Sequence, residues 1–322
     1  DEVASGALAY KLNGNKDGME RFFQTLGTDT VPYPFATGGH QLVYATPSEG
    51  FRCDGLPLGD VTYTNTPNST DLPDHKYEDG FCTECGNLDL TYMTPAEDGW
   101  FEVSTPEQPI WWSKQAADVD LGCSMRLMED LDMDGYDNYA VIGVESKPFY
   151  GCVDGQKHVI SNLIINYPDL KGVGFIGVIN SVKDKSLAKD SDRDAAPVYI
   201  RNLVLDETCQ VIANGYVGGI LGMTSPWQGA VEVSNCVVRC EVNATAAANA
   251  GGIHGCCMGS TCRIIVDNCG VTSTITGPKE NGVISGWMGS YGKLTNCWAI
   301  SEVYESGNLV SNFVRATPTS SN

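Results

Sequence analysis

Short segments of β-branched and other apolar residues, interrupted by glycine and asparagine, fill the second half of the chain. A Gly-rich segment such as Val217-Gly-Gly-Ile-Leu-Gly222 occurs four times, and its copies end at Gly177, Gly222, Gly255 and Gly286. In a second motif an apolar residue is followed after one position by Asn and then by Leu or Cys, and its asparagines are Asn162, Asn202, Asn235, Asn268 and Asn296. The two motifs keep the same order and nearly the same spacing without helical periodicity, which predicts stacked coils of short strands.

Stacking places equivalent residues of neighbouring coils about 4.8 Å apart, so that they form ladders. One inward ladder is expected to contain Ile160, Ile200, Val233, Val266 and Leu294. A second is expected to contain Leu163, Leu203, Cys236, Cys269 and Cys297, with its cysteines as buried free thiols. The asparagines tolerate the left-handed conformation of a corner between sheets, so one column should contain Asn202, Asn235, Asn268 and Asn296. Disulfide pairing and metal binding both remain open for Cys240, Cys256, Cys257 and Cys262.

Composition divides the chain near Trp100 into a small irregular α+β module, residues 1–98, and a repeat domain, residues 99–322. In the module, Leu8 and Leu12 belong to one predicted helix that ends at Gly14. At the start of the repeat domain, Thr105 as N-cap and Pro106 at the first helical position predict a second short helix. We expect this helix to cap the open end of the stacked coils, where bare strand edges favour aggregation.

The repeats resemble the GLUG-motif repeats of bacterial surface proteins. Three stretches carry the resemblance upstream of the first Gly-rich segment: Met125-Arg-Leu-Met-Glu-Asp-Leu-Asp-Met133, Val141-Ile-Gly143 with Pro148-Phe-Tyr-Gly-Cys-Val-Asp-Gly155, and His158-Val-Ile-Ser-Asn-Leu163. The resemblance covers roughly residues 98 to 314. It implies a right-handed parallel β-helix of the pectin-lyase-like kind, and it brings no catalytic residues with it.

The first module is poor in apolar residues, which favours a covalent or metal crosslink as its source of stability. Cys82-Thr-Glu-Cys85-Gly86 has the spacing of a zinc knuckle, and His75 and Cys53 complete a set of three thiolates and one imidazole. The segment also resembles the H-x-[YF]-x-x-G-x-C-x-x-C-G modules of bacterial surface proteins. We therefore predict a structural zinc ion bound by Cys53, His75, Cys82 and Cys85, with a Cys82–Cys85 disulfide as the alternative.

The charge of the chain narrows the possible partners. Forty acidic residues against twenty basic ones give a formal net charge of −20. This balance argues against nucleic acid, whose phosphates need Lys and Arg, and against an anionic membrane surface. No stretch has the length and apolarity of a membrane span, so we expect no membrane insertion within this chain. A soluble protein at the bacterial cell surface or outside the cell fits these properties.

Three features resemble functional sites, and each has a simpler structural interpretation that involves neither catalysis nor a metal ion. Asp130-Leu-Asp-Met-Asp-Gly-Tyr-Asp137 begins like a calcium loop, but Val141 stands where an EF-hand has a bidentate Glu. An exposed polar column on one sheet is expected to hold Arg201, Asp267, Lys293, Ser161, Ser234 and Thr295. His254 occupies a slot that holds Leu221 and Ser285 in sister repeats, and we expect it to face solvent.

The sequence favours a non-catalytic, adhesin-like binding module that is secreted or displayed on a bacterial surface. Its ligand would be a glycan or a protein, and sugars would find stacking surfaces on Trp227, Trp287, Tyr291 and Trp298. The alternative is a polysaccharide lyase or glycoside hydrolase that uses the face of the β-helix. Such enzymes need converging carboxylates or calcium with a basic residue, and the repeats show few candidates.

Overall fold

The computed structural model describes residues 2–15, 21–34, 40–45, 51–53, 76–83, 88–182, 198–225, 229–259, 262–310 and 313–314. The chain divides into two compact units, residues 1–87 and residues 88–322. Strands outweigh helices in the described ranges, and nearly all strand pairs of the second unit are parallel. The expected mainly β fold with parallel sheets is therefore confirmed.

The first unit contains short elements, which are α1 (Ala7–Leu12), β1 (Val43–Ala45), β2 (Phe51–Cys53), β3 (Tyr77–Glu78) and β4 (Phe81–Cys82). Helix α1 is followed by Gly14 at φ 76°, as the sequence predicts. Strands β1 and β2 pair antiparallel, and β3 and β4 form a hairpin. The hairpin turns at Asp79 and Gly80, whose φ angles of 50° and 83° are those of a tight two-residue turn.

The second unit begins with β5 (Trp100–Val103) and α2 (Glu107–Lys114), which continues as a π-helix over Gln115–Val119. The helix has Pro106 and not Thr105 at its N-cap, because the Thr105 hydroxyl donates to the side chain of Glu107. Trp111 and Trp112 of α2 are fully buried, and the Trp111 ring packs 5.5 Å from that of Phe101 on β5. No helix in the described ranges is long and apolar enough to cross a membrane.

Short strands make up most of the second unit. In chain order they are β6 (Ser124–Leu127), β7 (Leu131–Asp132), β8 (Val153–Asp154), β9 (Val159–Ser161), β10 (Ile164–Val173), β11 (Ile176–Ile179), β12 (Val198–Arg201), β13 (Val204–Leu205), β14 (Gln210–Gly218), β15 (Leu221–Thr224), β16 (Gly229–Ser234), β17 (Val237–Val238), β18 (Glu241–Ala244), β19 (Ala250–Gly251), β20 (His254–Cys257), β21 (Cys262–Asp267), β22 (Gly270–Val271), β23 (Thr274–Gly277), β24 (Ser285–Trp287), β25 (Lys293–Thr295), β26 (Trp298–Ala299), β27 (Glu302–Glu305) and β28 (Asn308–Val310).

From β8 onward the chain passes through four sheets in a fixed order, and we call one such passage a coil. Sheet 1 has the strand order β25-β21-β16-β12-β8-β6-β5, and sheet 2 has β26-β22-β17-β13-β9-β7. Sheet 3 has β10-β14-β18-β23-β27-β28, with β19 also on β14, and sheet 4 has β11-β15-β20-β24. Neighbours are parallel except β27 and β28. Between the edges of each sheet, a strand thus pairs with its equivalents in the coils before and after it.

The observed register corrects both predicted ladders at their first members, Ile160 and Leu163. Ile200 pairs with Val153 and not with Ile160, so the inward ladder of sheet 1 runs through Val153, Ile200, Val233, Val266 and Leu294. Before Val153 it continues to Met125 and Phe101. Ile160 pairs with Leu205 in sheet 2, and Leu163 lies beside the Cys209–Gln210 junction. The prediction failed because an apolar-x-Asn-Leu pattern also occurs at the next corner of the coil. The first copy, Ile160-Ser-Asn-Leu163, is therefore displaced by one corner.

The predicted asparagine column is confirmed. Asn202, Asn235, Asn268 and Asn296 adopt φ angles of 50–55°, the left-handed conformation expected at a corner. The Asn235 side chain donates to Oδ1 of Asn202 at 3.2 Å, and Asn268 donates to Asn235 at 2.8 Å. Asn296 donates to the Asp267 carboxylate at 3.0 Å. The column therefore joins four coils through side-chain amides at the corner between sheets 1 and 2.

The cysteines of the second ladder are free thiols, as predicted. Cys236 and Cys269 are fully buried, and Cys297 is partly buried. Their sulfurs lie near backbone carbonyls, with the Cys269 Sγ 3.3 Å from Asp267 O. The neighbouring thiol of Cys236 and, after it, burial raise the pKa of Cys269, so this thiol stays protonated. Cys240 is also a free buried thiol whose pKa burial raises.

Candidate functional site

A second column of left-handed residues lies where strands of sheet 3 end. Gly172, Tyr216, Asn249 and Glu280 precede the four Gly-rich segments and have φ angles of 73°, 52°, 71° and 60°. The parallel register of Val173, Val217 and Ala250 places the first three of these residues at equivalent positions. Gly and Asn adopt this conformation readily, whereas a Tyr there costs on the order of 1–2 kcal/mol. Tyr216 is therefore a strained residue on a regular scaffold.

Close backbone approach explains the glycines that end these segments. A Cβ on Gly222 would lie 2.3 Å from the Val173 nitrogen, and one on Gly255 would lie 2.5 Å from the carbonyl carbon of Tyr216. A Cβ on Gly286 would lie 2.7 Å from the Asn249 Cα. Strands of sheet 4 thus run against the left-handed column with no room for a side chain. Glycine at these positions fixes the column next to sheet 4.

A groove of about 550 Å³ opens beside this column. Its lining includes Tyr216, Asn249, Cys256, Met258, Glu280 and Trp287. The volume lies within the range of small-molecule and cofactor sites, roughly 300–1,000 Å³. Of the aromatic residues singled out in the sequence, Trp287 lines this groove and is 44% exposed. Trp298 lies over Gly270 in sheet 2, and Trp227 is outside the described residues.

The groove combines an apolar wall with polar groups. Trp287 pairs in register with Cys256, which pairs with Met223. Among the polar groups, the Lys171 ammonium lies 5.4 Å from the ring centroid of Tyr216. Burial and, after it, neighbouring negative charge raise the pKa of Tyr216, so the phenol stays neutral and remains a hydrogen-bond donor. This arrangement suits a ligand with apolar faces and hydroxyl groups.

His254 does not face solvent, so the expectation for this residue was wrong. Its side chain is fully buried between Leu221 and Ser285 of the neighbouring strands, and its Nδ1 lies 2.9 Å from the Ser285 hydroxyl. Its Nε2 has no hydrogen-bond partner among the described residues. Burial lowers the pKa of His254 to about 3, so the imidazole is neutral. The Leu in the sister repeat was the signal of a buried slot.

The polar column of sheet 1 is present, with three corrections, of which the first is that Ser234 is buried and not exposed. Arg201, Ser234, Asp267 and Thr295 pair in register. Lys293 instead pairs with Ile265, two positions earlier, and Ser161 pairs with Asp132 in sheet 2. The Arg201 Nε donates to the Asp154 carboxylate at 2.8 Å, and Asp267 accepts from Thr295 and Asn296. The carboxylates of this column thus bind neighbouring side chains.

The acidic segment that begins at Asp130 ties two coils together. Asp130 accepts hydrogen bonds from the Val159 amide at 2.9 Å and from His158 at 3.0 Å. Asp132 accepts from the Asn162 side chain at 2.7 Å. These bonds, led by Val159 for Asp130 and by Asn162 for Asp132, lower the pKa of both carboxyls. Across the described ranges no group of three or more His, Cys, Asp or Glu side chains is arranged to hold a metal ion.

The predicted zinc ligands lie mostly outside the described residues. His75 and Cys85 are not described, and only the backbone of Cys53 is, at the end of β2. Cys82 is buried on β4, where it pairs with Tyr77 across the hairpin. The zinc site therefore stays a prediction.

Comparison with known proteins gives little guidance. No family model matches the chain, and no curated protein matches it significantly. A crystal structure of a putative immunoglobulin A1 protease from Bacteroides ovatus is similar over 67% of this chain and 80% of that chain, with 18% sequence identity and a TM-score of 0.40. A similarity this loose supports no argument about activity. Function must be inferred from the groove and the sheets.

Proposed function

We propose that the chain is a non-catalytic binding module of a secreted or cell-surface bacterial protein, and that its ligand is a glycan. The observation that carries this proposal is the groove of about 550 Å³ with the rings of Tyr216 and Trp287 in its lining. Aromatic rings pack against the C–H faces of sugars, and Lys279 and Glu280 supply a donor and an acceptor for hydroxyl groups. The strained backbone of Tyr216 adds support, because strain concentrates at ligand sites.

We also propose that residues 99–322 form a right-handed parallel β-helix of the GLUG-repeat type, capped at its start by α2. Four parallel sheets visited in a constant order support this architecture, as do the columns of asparagine and glycine at fixed corners. The motif resemblance and the general preference of parallel strands for right-handed crossovers support the hand. The packing of Trp111 on Phe101 of the edge strand β5 supports the role of α2.

A glycan array probed with the purified chain tests the binding proposal. Trp287→Thr should lower the signal for the bound glycan at least tenfold, since it removes an exposed ring from the groove. Trp298→Thr is the matched control, because Trp298 is similarly exposed at 48% but lies in sheet 2. Equal binding by the wild type and Trp287→Thr would refute the role of the groove, and a chain that binds no glycan would refute the function.

The enzymatic alternative has its own assay. Incubation with the bound polysaccharide should release neither reducing ends nor unsaturated sugars. Product release that is abolished by Asp267→Ala would assign the chain to the lyases or glycoside hydrolases, with the polar column of sheet 1 as its site.

For the first unit we propose a structural zinc ion held by Cys53, His75, Cys82 and Cys85. The spacing of these residues and the buried position of Cys82 on a tight hairpin support the proposal. Such a site forms together with the fold, so its binding energy, on the order of 10 kcal/mol in small zinc modules, stabilises the folded unit. Elemental analysis of protein purified without chelator should find one zinc per chain, and a chain without zinc would contradict the site.

A further inference from the structure

Two aromatic rings meet on the outer face of sheet 1. The register aligns Trp100, Ser124, Cys152 and Tyr199 in one row across β5, β6, the residue before β8, and β12. The next residue along each strand is buried in the core, namely Phe101, Met125, Val153 and Ile200. Side chains alternate along a strand, so the row that contains Trp100 and Tyr199 faces outward.

The geometry shows that these rings lie over the sheet. Their residues are three strands apart, which separates the two backbones by about 14 Å. The ring centroids nevertheless lie only 6.2 Å apart, with the planes 29° from parallel. Both side chains therefore lean toward each other across the small side chains of Ser124 and Cys152. Trp100 and Tyr199 are each partly exposed, so we call this surface the aromatic face.

A row of paired charges runs beside the aromatic face. Glu102, Arg126, Asp154 and Arg201 follow two residues after the members of the aromatic row and pair in register. Arg126 forms ion pairs with Asp98 at 2.6 Å and Glu102 at 2.7 Å. The Arg201 guanidinium pairs with Asp154 and lies 4.4 Å above the Tyr199 ring. One ring is thus held in place by a cation–π contact, and the flank is rich in donors and acceptors.

We infer that the aromatic face is a second glycan-binding surface, and that it binds a neutral polysaccharide running across the strands of sheet 1. Rigid aromatic rings suit the apolar faces of sugars, and the paired charges suit hydroxyl groups. The flank carries three carboxylates against two guanidinium groups, in a chain of net charge −20, which disfavours uronate or sulfated polymers. This inference rests on the proposed glycan-binding function but uses a different sheet from the groove.

Native affinity electrophoresis tests this surface with named probes. The gels contain xylan, galactomannan, mixed-linkage β-glucan or starch as neutral polymers, and polygalacturonate as the acidic one. At least one neutral polymer should retard the wild type. Trp100→Thr and Tyr199→Thr should each raise the Kd for that polymer about tenfold, which corresponds to a loss of about 1.4 kcal/mol in binding free energy. Thr favours strands, and circular dichroism with thermal unfolding checks that both variants fold.

The outcomes separate this inference from the proposed function. Unchanged retardation of folded Trp100→Thr and Tyr199→Thr, with loss in Trp287→Thr, overturns the aromatic face and leaves the groove. Loss in the first two variants with no change in Trp287→Thr supports the aromatic face and refutes the groove. Retardation by polygalacturonate alone overturns the inference, and so does a chain that no polymer retards. If no polymer retards the chain and the glycan array also shows no bound glycan, the proposed function is refuted as well. The Arg201→Gln variant, which frees the Tyr199 ring, should weaken retardation by the same polymer.

Discussion

Replacing the buried His254 by Leu should change how the second unit responds to acid. Leu occupies the equivalent position of the neighbouring strand, so the slot accepts it. Burial lowers the pKa of His254 from 6.5 to about 3. Between about pH 6.5 and about pH 3 the unfolded chain binds a proton at His254 that the folded chain does not. The residue therefore lowers the free energy of unfolding as the pH falls through this window. Above about pH 6.5 this proton-linked cost disappears.

The magnitude follows from the size of the shift. Each pH unit inside the window changes the free energy of unfolding by about 1.4 kcal/mol, which gives a cost of about 2 kcal/mol at about pH 5. The variant also loses the hydrogen bond to Ser285, a contribution of about 1 kcal/mol that does not depend on pH. The difference between the pH dependence of the wild type's stability and that of His254→Leu therefore gives the free energy linked to protonation of His254.

Urea unfolding followed by tryptophan fluorescence measures this difference. All six tryptophans lie between Trp100 and Trp298, so the signal reports on the second unit. Between about pH 7 and about pH 5, His254→Leu should gain about 2 kcal/mol relative to the wild type. Ser285→Ala is the control, since it removes the hydrogen bond and keeps the buried imidazole, and it should follow the wild type. If the wild type and His254→Leu lose stability in parallel, the pKa argument is refuted.

Three further predictions concern strain, the asparagine column and zinc. Tyr216→Gly should have a free energy of unfolding about 1 kcal/mol higher than that of Tyr216→Ala, the reverse of the usual order in a strand, because Ala keeps the Cβ that the left-handed backbone disfavours. Urea unfolding measures both variants, and a higher stability of Tyr216→Ala would contradict the strain. Asn268→Ala should cost about 1–3 kcal/mol in the same assay through lost amide bonds and a disfavoured φ, with Asn268→Gly less affected; equal losses would show that conformation plays no part. Chelation or Cys82→Ser should speed proteolysis of the first unit and leave the second intact, whereas Cys209→Ser should not, and a first unit insensitive to chelator would argue against zinc.

The regular corners were predictable from sequence because they depend on local backbone preference. Asparagine before Leu or Cys identified the left-handed column, and the spacing of Asn202, Asn235, Asn268 and Asn296 aligned it. The prediction was wrong for the first copy of the motif, because Asn162 has the same local sequence and a φ of 56° but lies at a different corner. A local motif does not say which sheet follows it, and only the strand pairing resolves that question.

The groove could not be predicted from the sequence, for a different reason. It depends on which residues stand beside each other after four coils have stacked, and Tyr216, Cys256 and Trp287 are separated by up to two coils along the chain. One local signal was nevertheless present. Gly172 and Asn249, both residues that favour a positive φ, stand immediately before their Gly-rich segments, which marks a second left-handed column.

This second column explains how a repeat scaffold can carry a specific site. The glycines at the ends of the segments let sheet 4 run against the column, so the coil geometry fixes the left-handed backbone whichever side chain it bears. Gly, Tyr, Asn and Glu all occur at this position, and the side chain can change without changing the fold. A Tyr is unfavourable there by backbone preference, which fits the proposed contact between its ring and a ligand in the groove. If the groove binds the proposed glycan, substitutions at 216, 249 and 280 should change its specificity while leaving the fold intact.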